Sequence, residues 1–357
     1  MALASDNALD VIDFVVNKAH GVKGLSDIGL KTVPVHYIQP GQERRESFTL
    51  SQETIPVIDV THWDEPSVAA AICTAARRYG FFQIINHGVD DLVCGAIKVA
   101  AHRFFEEVAA EEKMKYKTQG VVGRDVVRYG TSFSPHAEKV LEWRDFVSLR
   151  FVSEDVAAKH WPPVCKDEAL EYYNKSEATI HNIARVLIEG LGAKGKEAED
   201  KASYIVKGVS VLLNYYPICP NPELTAGVGR HSDVSALTVL LQDDVGGLYV
   251  KSPEGDAWIH VPPTTGALVI NIGDAFQIIS NGQYKSIEHR VITNPNQNRV
   301  SVASFAAPLP DETIGPLSEV LETGESPVYR EIVYSDYCKH YFGRSLDGKK
   351  AIDWAKL

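Results

Sequence analysis

Two histidines and one aspartate stand where a metal ion could be held. His231 and Asp233 are two residues apart, so on an extended segment both side chains point to the same face. A further histidine, His289, lies inside a later predicted strand. Two imidazoles and one carboxylate leave the opposite side of a metal open, which suits iron(II) when it must bind a bidentate co-substrate and oxygen. A catalytic zinc ion accepts the same ligands, so the spacing alone leaves both metals open.

A second pair of residues could bind a carboxylate. Arg299 and Ser301 are two apart at the start of another predicted strand, and they therefore face the same way. A guanidinium can hold a carboxylate through two parallel hydrogen bonds, and a hydroxyl beside it can donate a third. The distal carboxylate of 2-oxoglutarate needs such a pair when its keto-acid end chelates the metal. His87 and Asp90 also pair a histidine with an aspartate, but their spacing does not place both on one face, and we interpret His87 as structural.

The elements that must position these residues are short strands in the second half of the chain. After Lys207, strand-like runs separated by turn residues follow at 209–216, 236–242, 247–251, 267–272, 286–292 and 300–306. Regularly spaced short strands are typical of an antiparallel barrel or jelly roll. The first half is predicted to be helical, with strands at 55–60 and 81–85 and amphipathic helices around 68–79 and 180–191.

These patterns predict a mainly β fold with α-helices. A double-stranded, jelly-roll core is expected at 207–310. A helical N-terminal region at 1–206 precedes it, and a C-terminal helical tail at 311–357 follows it. We expect the helical half and the barrel to share one hydrophobic core.

The composition excludes several classes of protein. The net charge is −11 and no cluster of lysine or arginine is present, which argues against nucleic acid or an anionic membrane as a partner. No apolar run approaches the roughly 18 residues of a membrane span. The first ten residues do not resemble a secretory signal, and the five cysteines are dispersed, as in proteins with reduced thiols. We therefore expect a cytoplasmic monomer.

The chain resembles the plant family of 2-oxoglutarate and iron(II)-dependent dioxygenases. Besides the residues above, the similar segments are Asn214–Pro222, Gly80–Val89 and Ile270–Asp274. The resemblance implies a double-stranded β-helix (jelly roll) and a requirement for iron(II), 2-oxoglutarate and oxygen, with ascorbate as reductant. It also implies that Asn214 and Tyr216 add contacts to 2-oxoglutarate, and that Phe305 stacks on an aromatic substrate.

A narrower resemblance points to one branch of that family, the feruloyl-CoA 6′-hydroxylases of coumarin biosynthesis. It rests on the segments Val15–Lys18, Gly21–Leu25, Tyr37–Pro40, Arg128–Pro135, Tyr334–Tyr337 and Asp347–Lys350. The match implies ortho-hydroxylation of feruloyl-CoA towards scopoletin, or of p-coumaroyl-CoA towards umbelliferone. Phe133 is then a candidate wall of the aromatic pocket. The candidate contacts to CoA phosphates are Arg124, Arg128, Lys139, Arg144 and Arg150, although residues of this kind are more often ordinary surface charges.

Three other functions remain open at this point. The enzyme could hydroxylate or demethylate another phenolic compound. A zinc hydrolase could use the same three ligands, although the Arg299 and Ser301 pair has no obvious task there. A non-catalytic jelly-roll protein could bind a phenolic ligand, but such a protein has no need of three intact metal ligands.

Overall fold

The chain is described by a computed structural model for residues 10–117, 125–132, 135, 138–322, 324, 326–343 and 349–357. The strands are β1 (Val57–Asp59), β2 (Phe81–Ile85), β3 (Val127–Gly130), β4 (Asp145–Arg150), β5 (Gly208–Tyr216), β6 (Val228–His231), β7 (Leu237–Gln242), β8 (Leu248–Lys251), β9 (Trp258–Val261), β10 (Leu268–Ile272), β11 (His289–Val291), β12 (Arg299–Ala307), β13 (Thr313–Ile314) and β14 (Ile332–Val333). The α-helices are α1 (Gly21–Asp27), α2 (Pro66–Arg78), α3 (Asp91–Glu107), α4 (Ala110–Lys113), α5 (Glu154–His160), α6 (Lys166–Glu189), α7 (Gly195–Ile205), α8 (Asp274–Ile279), α9 (Ser318–Leu321) and α10 (Tyr334–Phe342).

The strands form two principal sheets. The larger sheet has eight strands in the order β1-β2-β10-β7-β12-β5-β4-β3, and the smaller has four in the order β6-β11-β8-β9. Neighbouring strands in both sheets are antiparallel except for the parallel β1–β2 pair at one edge. The short strands β13 and β14 pair separately. The fold is the predicted mainly β architecture with flanking helices.

The two principal sheets pack face to face through a small apolar core. Phe81 and Val269 of the larger sheet belong to the same buried cluster as Leu248, Val250 and Ile259 of the smaller sheet. Side chains on one face of each strand alternate with those on the other, so each sheet contributes every second residue to this layer. The space between the sheets is the interior of the jelly roll.

The outer face of the larger sheet carries the main hydrophobic core. Val300, Val302 and Ala306 of β12 are buried in one cluster with residues of α3 and α6 such as Phe105 and Ile183. The intervening residues of β12 face the interior of the jelly roll instead. The period of two along this strand therefore separates a helix-covered apolar face from a face that lines the interior.

Most of the predicted elements are present, with shifted ends. The run at 286–292 contains only the three-residue strand β11, and the predicted helices correspond to α2 and the second half of α6. Strands β3, β4, β6 and β9 were not predicted, and neither were β13 and β14, which lie within the predicted helical tail. Because β1 to β4 extend the larger sheet, the first half of the chain contributes strands as well as helices. The division at 206/207 stays a prediction.

The pair His87 and Asp90 has a structural role, as the spacing predicted. Nδ1 of His87 accepts a hydrogen bond from the Val89 N–H at 3.2 Å, and Nε2 lies 3.2 Å from the Gly266 carbonyl. The Asp90 carboxylate accepts from the Leu92 N–H at 2.7 Å and so caps the N-terminus of α3. Both side chains are occupied in a turn and a helix cap.

Candidate metal and co-substrate site

The three candidate metal ligands meet at the interior edge of the smaller sheet. His231 ends β6 and His289 begins β11, and the two are direct cross-strand partners. Asp233 follows β6 by two residues, and its Oδ1 lies 3.5 Å from His231 Nε2 and 3.6 Å from His289 Nε2. One ligand atom from each residue lies within 4.8 Å of the other two, and all three side chains are buried. This group could hold one metal ion.

Hydrogen bonds to Nδ1 of the two histidines fix which ring nitrogens face the candidate metal position. Nδ1 of His231 lies 2.8 Å from the Gly229 carbonyl, and Nδ1 of His289 lies 3.3 Å from the Ile287 carbonyl. A carbonyl can only accept, so each Nδ1 donates and each Nε2 keeps its lone pair for a metal. The geometry thus leaves two imidazole nitrogens directed towards one carboxylate oxygen.

The other oxygen of Asp233 is held by the larger sheet. Its Oδ2 accepts hydrogen bonds from Thr238 Oγ1 at 2.6 Å and from Asn271 Nδ2 at 2.8 Å. Thr238 and Asn271 face each other across β7 and β10. Both residues orient the carboxylate from the opposite sheet, so the candidate metal site spans the interior of the jelly roll.

Electrostatics favour the metal-binding protonation states of Asp233 and His289 and oppose that of His231. Burial, followed by the nearby His231, lowers the pKa of His289 to about 4. Burial acts to raise the pKa of Asp233, but the two imidazoles together outweigh it and hold that pKa well below its usual value. For His231, burial is outweighed by Asp233, and the pKa is raised. An ionised carboxylate beside a neutral imidazole is the form in which these groups coordinate a metal ion.

Arg299 is a buried cation at the interior face of β12. The residue is 1% exposed, and among the described residues no carboxylate lies within ion-pair distance of it. Its Nη2 donates to Gln242 Oε1 at 3.0 Å and its Nη1 lies 3.5 Å from Ser301 Oγ, whereas Nε has no hydrogen-bond partner. Since burying an unpaired charge is costly, the side chain fits an anionic ligand such as a carboxylate.

The two remaining residues predicted to contact 2-oxoglutarate lie on the neighbouring strand. Tyr216 is the cross-strand partner of Arg299, and its ring lies 4.9 Å from the guanidinium carbon. Asn214 is the partner of Ser301 in the same register. The structure therefore brings all four predicted residues together on the interior face of β5 and β12.

Comparison with known proteins identifies the family. Residues 208–308 match the 2OG-Fe(II) oxygenase superfamily, and residues 55–167 match the N-terminal region named for the non-haem dioxygenase in morphine synthesis. Feruloyl CoA ortho-hydroxylase 2 of Arabidopsis thaliana is 53% identical over 350 residues, which cover 97% of this chain and 96% of that protein. The chain belongs to the 2-oxoglutarate and iron(II)-dependent oxygenases.

Two further relatives of this oxygenase show how far the similarity extends. A bi-functional coumaroyl CoA and feruloyl CoA ortho-hydroxylase of Ipomoea batatas is 50% identical over 98% of this chain and 97% of its own length. A crystal structure of JOX2 in complex with 2OG, Fe and JA superposes with a TM-score of 0.82, at 32% identity, over 94% of this chain and 97% of that one. The chain is an oxygenase that uses iron(II) and 2-oxoglutarate on a small-molecule substrate. The zinc hydrolase and the non-catalytic binding protein are excluded.

An apolar patch lies beside the oxygenase site on the interior face. Phe146, Leu212 and Ala303 form a small buried cluster, and Leu240 and Phe305 pack against it. Phe305 pairs with Thr238, which binds the Asp233 carboxylate, so the patch begins next to the candidate metal ligands. Its lining is aliphatic and aromatic, as is typical of pockets that bind apolar groups.

The predicted substrate residues of the first half differ in where they lie. The guanidinium carbon of Arg128 on β3 is 5.4 Å from the centre of the Phe146 ring, at the edge of the apolar patch. Burial lowers the pKa of this arginine. Arg144 is almost fully buried, so it cannot be an ordinary surface charge. The predicted residues outside the described part of the chain are Arg124, Phe133, Asp347 and Gly348.

Helix α10 holds the backbone that carries the metal ligands. Tyr341 OH donates to the Ser232 carbonyl at 2.6 Å, between His231 and Asp233. Tyr337 OH donates to Asp274 Oδ2 at 2.7 Å, and the same carboxylate oxygen accepts from Ser232 Oγ at 3.2 Å. Sequence reasoning missed these contacts. The tyrosine spacing on a helix was visible, but its partners are distant in the chain.

Among the described residues, no helix is both long enough and apolar enough to cross a lipid bilayer.

Proposed function

We propose that this oxygenase hydroxylates the ring of feruloyl-CoA ortho to its side chain, with p-coumaroyl-CoA as a second substrate. The proposal rests on identity of about half of all residues, over nearly the whole chain, with relatives named for those reactions. It would place the enzyme in coumarin biosynthesis, towards scopoletin or umbelliferone. Hydroxylation or demethylation of a different phenolic compound is the alternative outcome.

In this proposal, His231, Asp233 and His289 hold the iron, with the two Nε2 atoms and the Asp233 Oδ1 as ligands. Iron(II) and 2-oxoglutarate held there would supply the activation of oxygen, with one oxygen atom going to the substrate and the other to the succinate formed, with carbon dioxide, from 2-oxoglutarate. Arg299 and Ser301 would bind the distal carboxylate of 2-oxoglutarate. This carboxylate would be the anionic partner that the buried guanidinium lacks within the described chain. Asn214 and Tyr216 line the same ligand.

The feruloyl ring would lie on the apolar patch beside Phe305. An aromatic ring there gains from burial and from contact with the Phe305 face, which fixes the ring relative to the iron. Arg128, at the edge of the patch, would contact the polar part of the substrate beyond the ring. Phe133 is proposed as a further wall of the pocket on the basis of the sequence resemblance alone.

The reaction is tested by anaerobic reconstitution with iron(II) and 2-oxoglutarate, followed by admission of oxygen. Feruloyl-CoA, p-coumaroyl-CoA and free ferulic acid are compared by mass spectrometry. We expect a gain of one oxygen on a CoA thioester, with one succinate formed for each product. Succinate formation without oxidation of any of the three compounds would retain the oxygenase and reject the substrate.

Substitution of a proposed iron ligand tests the assignment, and substitution of a structural histidine provides the control. Asp233→Ala should abolish both succinate formation and hydroxylation, because the remaining two imidazoles cannot complete the site. His87→Ala removes a buried histidine whose ring bonds the backbone of Val89 and Gly266, so it should lower stability while leaving an active enzyme. Substantial turnover by the Asp233 variant would contradict the ligand assignment.

We further propose that the enzyme is a cytoplasmic monomer. The acidic net charge and five free cysteines support this location. Light scattering after size-exclusion chromatography tests the monomer, and the position of a fluorescent fusion in plant cells tests the compartment.

A further inference from the structure

The strand that carries His231 contains a β-bulge. Across the pair of β6 and β11, His231 opposes His289 whereas Val228 opposes Val291. Two residues of β6 therefore lie opposite a single residue of β11. A bulge disturbs the ladder of backbone hydrogen bonds and re-aims the side chains next to it. The backbone at this point needs partners from outside the smaller sheet.

A buried carboxylate binds the bulged backbone. Glu142 is 3% exposed, and its Oε1 accepts a hydrogen bond from the Gly229 N–H at 3.0 Å. The carbonyl of the same glycine accepts from His231 Nδ1 at 2.8 Å. Glu142 thus fixes the residue that sets the orientation of the His231 ring, and within the described part of the chain it makes no hydrogen bond to the ring itself.

A buried arginine extends this contact to the co-substrate strand. Arg144 Nη2 donates to Glu142 Oε2 at 2.7 Å, and Nη1 donates to Asn214 Oδ1 at 3.1 Å. Because the guanidinium occupies the amide oxygen of Asn214, the NH₂ group of that amide is the part that faces away from Arg144. Arg144 therefore decides whether Asn214 presents a donor or an acceptor to a neighbouring ligand.

We propose that the Glu142–Arg144 pair is a positioning device with two arms, one for the iron ligand His231 and one for the co-substrate residue Asn214. The inference rests on the proposed iron and 2-oxoglutarate sites. A buried ion pair contributes little net stability, so we assign the Glu142–Arg144 pair a role in fixing side-chain geometry. The pair joins the two sheets on either side of the interior.

The two arms can be separated by two conservative variants. In Glu142→Gln, the amide oxygen stays with the stronger donor, Arg144, and its NH₂ opposes the Gly229 N–H. We expect about tenfold weaker iron(II) binding, as for other changes to the residues that orient a metal ligand.

In Arg144→Lys, the ammonium keeps the pair with Glu142 but lacks the second N–H group that also reaches Asn214. We expect about tenfold weaker 2-oxoglutarate binding, from the loss of one oriented hydrogen bond.

Both affinities are measured anaerobically by calorimetry on the full chain, first with iron(II) and then with 2-oxoglutarate added to the iron-loaded protein. Glu168→Gln is the control, because it breaks the ion pair with Arg103 between α3 and α6, outside the interior. The proposal requires each arm to affect mainly its own ligand. Equal weakening of both ligands by both variants, or affinities that match the control, would overturn it. Failure of the unmodified protein to bind either ligand would instead contradict the proposed function.

Discussion

The two faces of the eight-stranded sheet differ in what their side chains contact. On the outer face, Val300 and Val302 of β12 pack into the core shared with the helices. On the inner face, Arg299 and Ser301 of the same strand lie beside polar partners from β5 and β7. Successive residues of one strand therefore serve stability and chemistry separately. Substitutions one residue apart should then have different effects, and four experiments test this separation.

Loss of the buried guanidinium should have the largest effect. Arg299→Leu removes the proposed partner of the distal carboxylate, and we expect 2-oxoglutarate affinity to fall by about 100-fold to 1,000-fold, as for other buried charged contacts. The melting temperature should hardly fall, because the side chain has no carboxylate partner among the described residues. Calorimetry and circular dichroism measure the two quantities. A large fall in melting temperature with unchanged 2-oxoglutarate affinity would show that Arg299 on the inner face serves stability and not ligand binding.

A substitution on the opposite face should do the reverse. Val302→Ala opens a small cavity against the helices, and we expect the free energy of unfolding to fall by about 2 kcal/mol. Affinities for iron(II) and 2-oxoglutarate should stay unchanged, since the side chain points away from the interior. Chemical denaturation gives the stability. Weakened ligand binding in this variant would show that the two faces are coupled.

A smaller effect is expected where the inner face supports the metal ligand. Thr238→Val keeps the shape of the side chain but removes the hydrogen bond to Asp233 Oδ2. We expect iron(II) to bind about tenfold more weakly, with little change in stability. Metal titration of the anaerobic protein measures the effect, and Thr179→Val provides a control, since that hydroxyl donates to the His87 carbonyl instead. Equal iron affinity in the two variants would remove Thr238 from the site.

The smallest effect concerns the apolar patch. Phe305→Leu keeps an apolar side chain but removes the aromatic face, so we expect the KM for the acyl-CoA to rise about threefold to tenfold. The KM for 2-oxoglutarate should not change. Steady-state kinetics with each substrate varied in turn distinguishes the two. A rise in the 2-oxoglutarate KM alone would place Phe305 with the co-substrate residues.

Local sequence patterns were sufficient to predict many of the strands. Short strand-like runs separated by turn residues predicted β5, β7 and β12, as is typical of the closely spaced strands of an antiparallel barrel. Strand β6 has only four residues and a bulge, which leaves too short a pattern to detect. Strands β3 and β4 lie in a half whose longest signals are helical. Strand β4 joins the sheet by a long-range pairing with β5, and β3 pairs with β4.

The site shows the same limit. Sequence order and spacing were enough to select His231, Asp233 and His289, which the structure then brings together. The supports of Asp233 were missed, because Thr238 and Asn271 are ordinary strand residues until the register places them opposite each other. The sequence does not show which group a side-chain hydroxyl or amide will bond in the folded protein. Only the assembled interior shows which polar residues meet.

Helix α10 also has a consequence for the order in which the site is completed. A ribosome makes this helix after every strand of the two principal sheets. Until it docks, the Ser232 carbonyl lacks the hydroxyl of Tyr341, and Asp274 lacks that of Tyr337. The segment between His231 and Asp233 is therefore secured late in synthesis, although its residues emerge much earlier. A nascent chain that stops before Tyr334 would contain all three proposed iron ligands without the helix that holds their backbone in place.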